Sequence, residues 1–169
     1  MQHVSPNRLW HLLVNVLGAS AFLTQEQRVA LLARGGIHMN GTAIRPGCWF
    51  HSDRVSFGTG GMINRGAVFE NVAAISVGSG VFFGPEVMVL TSTHDFGSPA
   101  QRAGTLVPKE VSIGDGCWLG ARVTVFPGVR IGDGCIIGAG SVVTRDIEPN
   151  QLCSGVPAQP RRSLEDPLR

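Results

Sequence analysis

From Ile113 onward every sixth residue is aliphatic: Ile113, Leu119, Val125, Ile131, Ile137 and Val143. Four residues after each comes a small or β-branched side chain, in order Cys117, Val123, Val129, Cys135, Ser141 and Ile147, and glycine follows the anchor at 114, 120, 132 and 138. Upstream the pattern returns as Phe57, Ile63, Phe69 with Gly61, Ala67, Ala73, and as Val77, Phe83, Val89 with Val81, Val87, Thr93. Only the step from Phe69 to Val77 departs from six. A fixed short repeat of this kind predicts a parallel β-helix. Each unit supplies one short strand and one turn, three units close a coil, and coils stack at roughly 4.8 Å, the spacing of hydrogen-bonded strands. The anchors then pile into internal ladders, and glycine serves the sharp turns. A helix is excluded over 111–147, because a period of six does not fit 3.6 residues per turn and glycine recurs too often.

Two stretches outside the repeat have helical character. Leu9, Leu12, Leu13, Val16 and Leu17 fall on one face of a helix that Pro6 opens after Ser5 and Gly18 ends. A second helix fits 24–34, opened by Thr24 and Gln27 as a capping box. The pair is expected to cover one end of the prism, where bare strand edges would otherwise face water. Residues 95–110 carry no anchors although the register resumes after them; Gly97, Pro99, Gly104 and Pro108 mark an ordered excursion loop. The chain therefore divides into N-terminal helices at 1–36, a β-helix at 37–148 interrupted by the loop 95–110, and a tail at 149–169.

The 169 residues suffice for one domain with a real core. A net charge of +2, with no basic run beyond Arg161 and Arg162, argues against a nucleic-acid partner. The apolar stretch from Leu9 to Leu23 is too short to span a bilayer, and His11 and Asn15 within it do not suit a signal peptide, so no stable membrane insertion is expected. Cys48, Cys117, Cys135 and Cys153 lack the spacing of a metal knuckle and are expected as small, reduced core residues of a cytoplasmic protein.

The run from Ile113 to Ser163, IGDGCWLGARVTVFPGVRIGDGCIIGAGSVVTRDIEPNQLCSGVPAQPRRS, resembles the hexapeptide-repeat acyltransferases, closest to the maltose, galactoside and polysaccharide O-acetyltransferase branch. INRGAVFEN at 63–71 and VGSGVFFGPEVMVLTSTHDF at 77–96 extend the likeness. The resemblance implies an all-β, left-handed parallel β-helix assembled as a homotrimer. It also implies acetyl-CoA as acyl-donor cosubstrate, no required metal, and direct transfer to a carbohydrate or other small-molecule acceptor without an acyl-enzyme.

By that resemblance His94, in TSTH, is the general base. An acceptor hydroxyl is almost fully protonated at neutral pH, whereas imidazole ordinarily titrates nearby. Asn64 matches the position that contacts the acceptor or orients the centre, and Glu86 is the expected hydrogen-bond partner of the imidazole. Glu70 sits where relatives often carry an acidic residue, without a matched role. Trp118 corresponds to the tryptophan that lines the pantetheine channel, with backbone groups at Gly120, Ala121, Gly138, Ala139 and Ser141 placed to pair with the pantetheine amides. Thr144 and Arg145 match the pair near the nucleotide, and Arg161 and Arg162 are expected at the CoA phosphates. The family motif has asparagine where this chain has Val156.

Other functions are carried alongside. The acceptor can equally be the hydroxyl or amine of an antibiotic or other small molecule, and a non-catalytic β-helix scaffold would keep the repeat alone. A zinc enzyme like the γ-type carbonic anhydrases shares the helix but needs three convergent histidines, and the spacing of His51 and His94 does not match it.

Overall fold

The computed structural model describes residues 6–165; Ser5, the expected lead-in to the first helix, and the last four residues of the tail lie outside them. Successive short strands wind into a three-sided prism with parallel pairing along each side. Face A stacks β1 (Ala43–Ile44), β4 (Met62–Ile63), β7 (Phe82–Phe83), β12 (Trp118–Leu119), β15 (Ile136–Ile137) and β17 (Gln151–Ser154), with β18 (Gln159–Ser163) closing it antiparallel. Face B stacks β2 (Trp49–Phe50), β5 (Val68–Glu70), β8 (Met88–Leu90), β13 (Thr124–Val125) and β16 (Val142–Val143). Face C stacks β3 (Val55–Phe57), β6 (Ile75–Val77), β11 (Val111–Ile113) and β14 (Arg130–Ile131).

The six-residue anchors are the core. Ile113, Leu119, Val125, Ile131, Ile137 and Val143 are all buried, as are the residues four positions on. Near the N-terminal end the ladders become aromatic: Phe69 stacks on Phe50 at 5.0 Å and meets Phe57 and Phe83 edge-on at 5.6 and 5.7 Å. Ile44 and Phe50 add a first coil that the six-residue count does not reveal, because the corner between Phe50 and Phe57 is one residue longer. Buried Asn71 spans that corner, accepting from the amides of His51 and Ser52 and donating to the Ser52 carbonyl. Close stacking elsewhere demands glycine: Gly61 has φ +86°, and a Cβ there would lie 2.2 Å from the Val81 carbonyl oxygen.

The helices plug the N-terminal end, with one correction to the expected face. Helix α1 (Arg8–His11) starts from an Asn7 cap, so Pro6 precedes it, and continues as a π-helical stretch (Leu12–Leu17) that Gly18 closes. Trp10 and Val14 face the prism, whereas Leu9, Leu12, Val16 and Leu17 are exposed. The reason is what the end of the prism requires: the Trp10 indole N–H donates to the Gly35 carbonyl, and Asn15 both accepts from and donates to the backbone of Phe50. Helix α2 (Gln25–Arg34) carries the expected capping box between Thr24 and Gln27. Each face then meets a side-chain amide at its first strand: Gln25 at Ile44 on β1, Asn15 at Phe50 on β2, and Asn40 at Phe57 on β3.

The excursion is an antiparallel hairpin, β9 (Ser92–Phe96) with β10 (Ala103–Pro108), which leaves the prism between faces B and C. It is ordered by pairing rather than by turns alone.

Candidate active site

One position before each face A anchor the side chain points outward. Met62, Phe82, Trp118 and Ile136 occupy these positions in register, each paired with the next. They form an apolar stripe on which Phe82 and Trp118 remain about half exposed. Beside the stripe runs the corner to face B, built of Gly84-Pro85, Gly120-Ala121 and Gly138-Ala139. Stripe and corner together line a groove of about 450 Å³, with Asn64 at one end. The small corner residues are enforced by stacking, since a Cβ on Gly84 would lie 2.5 Å from the Ala121 amide nitrogen and one on Gly120 2.6 Å from that of Ala139.

Trp118, Gly120, Ala121, Gly138, Ala139 and Asn64, picked from separate stretches of sequence, thus meet in one groove. Their polar groups are not equivalent. The amides of Gly120 and Gly138 are used within the prism, donating to Ile137 and Cys153, and Ser141 is buried, its hydroxyl donating to the Gly138 carbonyl. The amides of Ala121 and Ala139, by contrast, donate to no group among the described residues. Asn64 uses its side-chain oxygen to accept from the Arg65 amide, which sets its corner and leaves the side-chain nitrogen toward the groove end. Met62, Phe82 and Ile136 were missed, although their signal is plain: large apolar residues recur one place before the anchor.

His94 stands on the third residue pair from the root of the hairpin, opposite Leu106. Its Nδ1 lies 2.9 Å from the Gly104 carbonyl oxygen. A carbonyl only accepts, so this contact requires the proton on Nδ1 and leaves the Nε2 lone pair available. The expected partner, Glu86, is not at the imidazole within the chain. It sits in the corner between faces A and B with φ +58° and pairs with Arg122 at 2.7 Å. The width of face B separates that corner from the hairpin.

The C-terminal segment holds the remaining candidates. Arg161 donates to the hydroxyl and carbonyl of Ser154 across the β17–β18 hairpin, while Thr144, Arg145 and Arg162 are exposed. Arg145 also borders a second hollow of about 370 Å³ with Glu148, Gln151 and Gln159.

A family model described as the hexapeptide repeat of succinyl-transferase matches residues 110–145. The galactoside O-acetyltransferase of Lactococcus lactis is 41% identical over 117 residues, which is 69% of this chain and 56% of that protein, so the chain spans little more than half of this curated relative. Among solved structures, the maltose O-acetyltransferase of Clostridium difficile superposes with a TM-score of 0.85 at 28% identity, covering 94% of this chain and 86% of the other. The chain belongs to the hexapeptide-repeat acetyltransferases. Another structure of these acetyltransferases, from Vibrio cholerae and complexed with acetyl coenzyme A, superposes with a TM-score of 0.81 at 28% identity over 94% of this chain and 85% of that one. Among the described residues of one chain, no three His, Cys, Asp or Glu side chains come together as a metal-ligand set.

Proposed function

We propose that this chain transfers an acetyl group from acetyl-CoA to a hydroxyl of a sugar-type acceptor, with His94 as general base. The observation that carries the reading is the Nδ1 contact to Gly104, which orients the imidazole and presents Nε2 as a proton acceptor. Nε2 takes the acceptor's proton as its oxygen attacks the thioester carbon. When the carbon–sulfur bond breaks, the imidazolium returns that proton to the CoA thiolate. The pantetheine arm lies along the Trp118 stripe, its amide carbonyls accepting from Ala121 and Ala139, with Asn64 at the acceptor end. Arg145, Arg161 and Arg162 are the cations assigned to the CoA phosphates in this reading.

His94 and the groove lie on opposite sides of face B, so one copy's hairpin completes the groove of another. A closed trimer satisfies this three times over. Four buried free thiols fit a reducing, cytoplasmic setting. No helix among the described residues is long and apolar enough to cross a membrane.

Isothermal titration with acetyl-CoA, paired with thiol release against sugar acceptors, tests this reading. Trp118→Ala is expected to weaken acetyl-CoA binding about tenfold, roughly the 1–2 kcal/mol of one partly buried aromatic contact. His94→Ala should bind acetyl-CoA as the parent does and lose on the order of 10²–10⁴ in turnover. Parental turnover by His94→Ala would remove the general base. A folded parent that bound no acetyl-CoA at millimolar concentration would leave a scaffold without chemistry.

A further inference from the structure

Glu70 is the last residue of β5 and pairs with Leu90 on face B, the point at which the third coil stops following the prism. Its carboxylate gathers three hydrogen bonds from the first two departing residues. Oε2 accepts from the amides of Thr91 at 3.0 Å and Ser92 at 3.2 Å, and Oε1 accepts from the Ser92 hydroxyl at 2.8 Å. The Thr91 hydroxyl donates to the Glu70 carbonyl at 2.7 Å, so both ends of Glu70 hold the same root. No other coil has an acidic residue in this place; its equivalents are His51, Leu90, Phe126 and Thr144. The regular corner after Phe126 closes with its own backbone bond from Val129 to Phe126. At the root of the hairpin the Glu70 carboxylate takes on part of that closure.

Ser92 opens β9 and His94 follows two residues later, on the same side of the ribbon. The angle at which the hairpin leaves face B therefore sets where the imidazole stands relative to the prism. The hairpin's internal bonds, including His94 to Gly104, do not fix that angle, because they move with it. We infer that Glu70 is a positioning residue: its carboxylate brackets the root of the hairpin and aims the His94 imidazole, touching neither donor nor acceptor. The catalytic consequence rests on the reading of His94 as base; the mechanical one does not.

The test uses a nitroxide on Ala100→Cys at the hairpin tip, the four native thiols being buried. In the Glu70 background the label should report a rigid hairpin. Glu70→Ala should give a mobile spectrum, and Glu70→Gln, which keeps one acceptor oxygen, an intermediate one. Without the label, Glu70→Ala should lose about tenfold to a hundredfold in kcat at unchanged KM for acetyl-CoA, with Glu70→Gln recovering part of the loss. Unchanged label mobility, unchanged kcat, or a rise in the acetyl-CoA KM together with the loss of kcat would each overturn the assignment. Full turnover by His94→Ala would defeat the general-base reading alone, because the label would still report the bracket.

Discussion

Cys48 shows how a residue of this fold is coupled to pH. Its thiol is buried in the first coil and lies 3.3 Å from the carbonyl oxygens of both Arg45 and Asn64. Burial pushes the thiol from an ordinary 9.0 up to about 11. Between those values the folded state keeps a proton that the unfolded chain has released, so this thiol's contribution to stability is level below pH 9 and falls as pH rises toward 11. Denaturant titrations at pH 8 and 10.5 should show this drop, and Cys48→Ala should show a smaller one, since the variant lacks the group. All four cysteines are buried as expected, and for Cys117 and Cys135 the signal is the slot four residues after an anchor. The pairing of Glu86 with Arg122 was not legible in sequence. Thirty-six residues separate the two because the hairpin lengthens the intervening coil, and the parallel stacking of β13 on β8 brings their corners into contact.

At the level of elements, the capping box of α2 could be read directly, since its donors and acceptors lie within four residues. The first helix could not. A period of 3.6 gathers Leu9, Leu12, Leu13, Val16 and Leu17 on one face, yet the surface it packs against is a ring of strand edges with unmet polar groups. Such a surface selects Asn15 and the Trp10 indole over aliphatic side chains. Replacing Asn15 by leucine keeps the γ-branched shape and removes the bonds to Phe50 N–H and C=O, 2.9 and 2.8 Å in length. With two backbone groups left unmet, the loss is expected to be about 2–4 kcal/mol. Chemical denaturation measures it, and acetyl-CoA affinity should not change, because the groove lies further along the prism.

At the scale of the molecule, the three outer faces differ in character. Face C presents Ser56, Ser76, Ser112 and Arg130 in one column, a surface suited to water. Face A presents the Met62–Ile136 stripe, and face B presents Trp49, Val68 and Met88. The two apolar faces are the ones suited to contact between copies in the proposed shared centre. Light scattering should return about three times the 17.9 kDa of one chain, and a monomer that still turned over acetyl-CoA would rule out a centre shared between copies. The parallel stacking that builds the prism is also the arrangement by which chains add end to end without limit in cross-β fibrils. Here growth is terminated at both ends of face A, by the Gln25 amide on β1 and by the reversed strand β18 beyond β17. The Gln25 side chain and the reversed strand that complete the fold thus also keep a self-templating architecture finite.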